Sequence, residues 1–190
     1  MKTLTNFKFI AGVDYSLTSP AVCISEIINS NIEFKNCKFH YLKQNKSQET
    51  FDNFFAYDYP EYSDDIERFT KLANWVIECI RWYDGRVEYI YLEDYAFAAT
   101  GRVFNIGENT GILKQHLRTN GFRYTTIPPT VIKKHATGKG NAKKELMYET
   151  FLTETNVDLK SKLTPKSTKI ANPVSDIVDS YYICQTGFQL

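Results

Sequence analysis

Two short apolar runs in this chain each end on an acid, and a segment of helical periodicity separates them. Phe9-Ile10-Ala11-Gly12-Val13 closes on Asp14, and Val87 to Leu92 closes on Glu93. Apolar runs of this length suit buried strands. Between them Ile66, Phe69, Leu72, Ala73, Val76, Ile77 and Ile80 follow helical spacing. Ser63 is the expected N-cap, Asp64 and Asp65 suit the positive helix end, and Gly85 is placed to terminate the helix. Strand, helix and strand make a crossover unit, in which the two strands pair in parallel and bring Asp14 and Glu93 together. An unpaired buried carboxylate costs several kcal/mol, so a compensating cation is expected nearby.

A second acidic pair stands near the C-terminus, in Ser175-Asp176-Ile177-Val178-Asp179. Residues three apart on a helix share a face, so Asp176 and Asp179 can serve one metal site. A dipole-stabilised first-turn acid would explain Asp176 but leave Asp179 facing a like charge. Oxygen-only ligands point to Mg²⁺, with Mn²⁺ as the alternative, and away from zinc. Two such ions can activate a water and stabilise the leaving oxygen of a phosphodiester.

The rest of the chain reads as an α/β protein. Residues 20–28 form a second strand, Asn29-Ser30-Asn31 a turn, and Ile32, Phe34, Phe39 and Tyr41 alternate as a third, giving an antiparallel meander. The aromatic and acidic stretch 42–62 carries no assigned element, and 94–104 is a loop. A helix over 105–119 ends at Gly121, a fifth strand spans 122–127, and Pro128-Pro129 opens a brief helix to about His135. A Gly-rich loop, 137–141, leads into a helix over 142–155. A long loop, 156–174, then precedes the last helix, which starts between residues 172 and 175.

Size and composition set further bounds. A chain of 190 residues is expected to form one domain, 1–190, with a sizeable core. No run approaches the roughly 18 apolar residues of a membrane span. Lys8 interrupts the N-terminal segment, which is not read as a signal peptide. Cys23, Cys37, Cys79 and Cys184 show no CxxC pairing and are expected as reduced core residues of an intracellular protein. Thr137-Gly138-Lys139-Gly140 lacks phosphate-loop spacing, and His40, His116 and His135 share no spacing that would make a metal site.

The net charge of +1 conceals segregation. Residues 47–100 hold 12 acidic and 4 basic side chains; residues 111–170 hold 12 basic and 4 acidic. A basic half beside a carboxylate cluster suits a polyanionic substrate.

Four motifs, in order along nearly the whole chain, resemble those of RuvC-type Holliday junction resolvases of the ribonuclease-H-like superfamily. They are Gly12-Val13-Asp14-Tyr15-Ser16-Leu17-Thr18, Tyr91-Leu92-Glu93, the basic stretch from Pro129 to Glu145, and Asp176-Ile177-Val178-Asp179. Ser19-Pro20 departs from the family's usual Thr-Gly.

The resemblance implies a ribonuclease-H-like fold with a five-stranded mixed sheet flanked by helices. It implies a structure-specific DNA endonuclease cutting four-way junctions, with Asp14, Glu93, Asp176 and Asp179 as catalytic and metal-binding residues for two Mg²⁺ ions. Lys133 and Lys144 match the family's DNA-contacting lysines; Lys134, Lys139 and Lys143 would neutralise further phosphates. Tyr95 or Phe97 falls where the family places a junction-inserting aromatic. A homodimer, and action in the cytoplasm of a bacterial cell by a phage-encoded member, are also implied. Other readings stay open: a same-fold nuclease acting on RNA or other DNA structures, a non-catalytic nucleic-acid-binding module, or an actin-like ATPase, which needs a longer chain.

Overall fold

The computed structural model describes residues 8–83, 87–94 and 103–190. Six strands, β1 (Lys8–Asp14), β2 (Ala21–Ile27), β3 (Cys37–Leu42), β4 (Phe54–Tyr57), β5 (Val87–Glu93) and β6 (Tyr124–Ile127), form one sheet in the order β4-β3-β2-β1-β5-β6. The helices are α1 (Asp65–Arg81), α2 (Val103–Thr119), α3 (Pro129–Thr137), α4 (Lys144–Thr155), α5 (Leu159–Leu163) and α6 (Val174–Gln189). β1 to β3 form the expected antiparallel meander, and β1 pairs with β5 in parallel, as the crossover requires. The fold is α/β, a mixed sheet flanked by helices.

The sheet has six strands where five were expected. The addition, β4, comes from the aromatic and acidic stretch and pairs in parallel with β3. Phe54 stacks between Phe39 and Phe51, at 4.6 and 4.8 Å between ring centroids. Those rings pack inward, and Gln48 is buried with its amide donating to the Leu163 carbonyl. The third strand also starts later than expected, because Phe34–Asn36 forms a 3-10 turn. Asp64, not Ser63, caps α1: its carboxylate accepts from Glu67 N at 2.8 Å, while Ser63 N and Oγ donate to Glu67 Oε2. The loop expected over 156–174 contains the five-residue α5, capped by Asp158 and anchored by buried Leu159 and Leu163. Gly85 lies outside the described residues.

Two apolar layers sandwich the sheet. Ala11, Val13, Val22, Ile24, Ile90 and Leu92 pack against α1 and α2 on one face. Ile10, Cys23, Phe39 and Tyr41 pack against α3 to α6 on the other. The four cysteines are free and buried. His40 is buried between the Tyr57 and Tyr83 hydroxyls, and burial lowers its pKa to about 3, a structural histidine. No described helix is long and apolar enough to cross a membrane.

Gly12 sets the seating of α6. A Cβ at Gly12 would stand 2.3 Å from Cys184 N and 2.4 Å from Ser180 O, so the helix backbone rests directly on the strand. At the far end Gly187 plays the converse part, since a Cβ there would enter the Tyr91 ring. The obstacle at Gly12 is backbone and cannot rotate away, so overpacking there is costly. Gly12→Ala should destabilise the protein by about 3 kcal/mol or more, measured as a lowered urea midpoint.

Candidate active site

Strand alternation decides which side chains meet α6. On β1, Ile10 faces the α6 layer while Ala11 and Val13 face the other, so Gly12 and Asp14 share the face of Ile10. On β5, Tyr89 and Tyr91 pack toward α6 and Ile90 and Leu92 away from it, which turns Glu93 toward α6. Val13 pairs with Leu92, so Asp14 and Glu93 follow side by side at the carboxyl ends of their strands. The Gly12 contact holds Ser180 over β1, and α6 presents Asp179 immediately before Ser180 and Asp176 one turn earlier.

The four acids act on one another. Asp14 is 8% exposed and Asp176 4%; Glu93 and Asp179 are partly exposed. Burial raises the Asp14 pKa well above its ordinary value, and the charges of Asp176, Asp179 and Glu93 raise it further. Asp14 is also near enough to Asp176 to share a hydrogen bond when protonated. Burial pushes Asp176 up to about 6, against the pull of Ser19 and Lys144. Asp179 rises to about 7, by burial and then by the charges of Glu93 and Asp176. Burial raises Glu93 too, opposed by Lys133 and Lys144.

These residues suit a hard divalent cation. All are oxygen donors, and Asp176 Oδ2 is buried without a hydrogen-bond partner. As placed, no three His, Cys, Asp or Glu side chains among the described residues converge closely enough to hold an ion. A bound cation would have to draw the carboxylates together.

The lysines divide into two groups. Lys133 on α3 and Lys144 at the start of α4 exert their charge on the carboxylates. Lys144 Nζ donates to Ser175 Oγ at 3.1 Å, and Ser175 Oγ donates to Asn172 Oδ1 at 2.8 Å, tying α4 to the start of α6. Lys134, Lys139 and Lys143 are exposed around the same α3–α4 corner. Tyr95 and Phe97 lie outside the described residues. Phe104, in the first turn of α2, is 86% exposed.

Sequence reasoning did not single out Ser19 or Ser175. Ser19 is buried beside Asp176 and favours its ionised form, yet its Oγ lacks a regular hydrogen bond. Its only signal was the departure Ser19-Pro20.

No protein-family model matches the sequence, and no curated protein does. Solved structures do. The chain is similar to Thermus thermophilus RuvC, at 14% identity, covering 95% of each chain with a TM-score of 0.60. It matches the same protein in complex with Holliday junction substrate at 14% identity, covering 95% of this chain and 93% of that one, TM-score 0.60. A fowlpox virus resolvase, in complex with its substrate Holliday junction DNA, matches at 15% identity, covering 95% and 97%, TM-score 0.54. At such identities the likeness establishes the shared ribonuclease-H-like fold.

The raised carboxylate pKa values carry a stability consequence. Native carboxyls that bind protons more tightly than unfolded ones lose stability as pH rises, here from about 4 through about 7. Metal-free protein should therefore melt at lower temperature at pH 8 than at pH 5. Asp179→Asn should flatten that decline and stabilise metal-free protein at pH 8 by on the order of 1–3 kcal/mol, measured by thermal denaturation in EDTA.

Proposed function

We propose that this chain is a divalent-metal-dependent endodeoxyribonuclease that resolves four-way DNA junctions, built as one nuclease domain over residues 1–190. The observation that carries the reading is the meeting of Asp14, Glu93, Asp176 and Asp179 from β1, β5 and α6, with Lys133 and Lys144 at their margin. Four acids whose neighbours raise one another's pKa values are poorly compensated by two lysines, and a divalent cation compensates them better.

Two Mg²⁺ ions, or Mn²⁺, held by these carboxylates would supply an activated water and a stabilised leaving oxygen for phosphodiester hydrolysis. Asp14 and Asp176, the most buried of the four, would hold fixed positions, while Glu93 and Asp179 face the substrate side. Lys133 and Lys144 would seat the scissile phosphate beside the acids. Lys134, Lys139 and Lys143 would continue the positive track along flanking phosphates. The junction itself comes from the motif resemblance and from the DNA-bound structures of similar fold. A homodimer suits a two-fold junction. Action in the cytoplasm of a bacterial cell, by a phage-encoded enzyme, completes the reading.

The test is incubation with labelled four-way junction, Y-fork and linear duplex, in Mg²⁺ or in EDTA. Symmetric cutting of the junction only with Mg²⁺ is expected; linear duplex cut as fast as junction would falsify structure specificity. Asp14→Asn should lower cutting by more than about 100-fold, the upper loss when only a ligand's hydrogen-bond partner is removed. Junction binding by Asp14→Asn should persist or tighten, because a charge repelling phosphate is gone. Lys133→Ala with Lys144→Ala should weaken binding and reduce the salt slope by about 2; an unchanged slope would remove these lysines from the DNA interface.

A further inference from the structure

A second polar site stands at the same end of the sheet. A pocket of about 340 Å³ is lined by Leu17, Tyr62, Asp65, Arg68, Phe69 and Asn105. Leu17 lies three residues past Asp14, and the other walls are the first turns of α1 and α2 and the residue Tyr62 just before α1. The volume sits at the low end of the roughly 300–1,000 Å³ of small-molecule sites, a size for one flat ring system and not a duplex.

Its walls are fixed to the Asp14 loop. Arg68 is only 9% exposed; its Nε donates to Tyr59 Oη at 2.8 Å, and one terminal nitrogen donates to the Leu17 carbonyl. Tyr59 Oη donates to the same carbonyl at 2.6 Å, and Tyr15 Oη donates to the Phe69 carbonyl. An occupant of the pocket is therefore held at a set distance from Asp14.

The chemistry of the walls selects the occupant. Tyr62 is 45% exposed and covers the Arg68 guanidinium at 5.1 Å, a flat surface on which a base can stack. Asn105 Nδ2 donates to Asp65 Oδ2 at 3.0 Å, and Arg68 stands 4.0 Å from Asp65 Oδ1, so the carboxylate is held in place with lone pairs to spare. Asp65 and Arg68 are the charged residues that line the pocket, and their balance favours a neutral group rich in N–H donors over a phosphate. Guanine meets that demand: its adjacent N1–H and N2 amino group match the two oxygens of one carboxylate. Thymine offers a single N–H flanked by carbonyls that the carboxylate repels. That edge is free only in an unpaired base, as at a branch point.

We propose that this pocket binds one unpaired guanine of the DNA substrate and so selects where the strand is cut. The proposal rests on the nuclease reading, and binding separates the two. Four-way junctions differing only in dG or dT at the crossover are compared for Kd by fluorescence anisotropy in EDTA, and for cutting rate and position in Mg²⁺. The dG junction should bind at least about fivefold tighter and be cut beside that guanine. Asp65→Ala and Asp65→Asn should bring the dG/dT ratio near one while circular dichroism and melting temperature stay those of the folded protein. Equal Kd for the two junctions in the wild type, or a dG preference that survives both substitutions, overturns the pocket. A dG preference in binding without cutting of any junction supports the pocket and sinks the nuclease reading; cutting without base preference does the reverse.

Discussion

The backbone of α6 rests on β1 without an intervening side chain, and most of the site depends on that contact. At Gly12 the strand offers no Cβ, so Ser180 O and Cys184 N of the helix take the space one would fill. At Gly187 the helix offers none, and the Tyr91 ring fills the gap. These two contacts fix the position of α6 along β1 and its lateral place over β5. Translation by one helical turn, about 5.4 Å, would carry Asp176 and Asp179 away from Asp14 and Glu93.

The contact assembles a cluster that is unfavourable by itself. Four carboxyls from three elements lie within electrostatic range of one another, and burial and mutual repulsion push them toward protonation. Lys133 and Lys144 offset part of this, and Ser19 and Ser175 lend polar support to Asp176. Asp176 Oδ2 stays unsatisfied. Apolar packing of α6 against both Tyr89–Tyr91 and the meander supplies the stability that holds the acids together. Local strain of this kind gathers at sites built to act on something else.

Much of this frame was legible from local pattern. The apolar runs before Asp14 and Glu93, split by a helix of clear periodicity, pointed to a parallel pair, and β1 and β5 pair in that way. The i, i+3 spacing of Asp176 and Asp179 placed them on one helix, and α6 begins where expected. Elements that owe their existence to distant partners were not legible. β4 is four residues long and acidic at its borders; its aromatic rings find their partners only in the folded chain, Phe54 against Phe39 and Phe55 against His40. α5 is too short for periodicity and is held by the burial of two leucines. Asp64 displaced Ser63 as the cap of α1 because both residues offer a capping oxygen one position apart, and propensity alone does not rank them.

Periodicity and residue chemistry alone determined the strand–helix–strand unit, the oxygen-only character of the acidic set, and the basic segment lying between Glu93 and Asp176 in the chain. Those are local properties, written in the spacing of neighbours. Only the tertiary structure decided that Lys133 and Lys144 act on the acids themselves, that Ser19 and Ser175 support Asp176, and that Arg68, Tyr62, Asp65 and Asn105 enclose a pocket tied to the Asp14 loop. These relations join residues tens of positions apart, and the close seating of a helix on a glycine, not any local preference, brings the acids within range of one another.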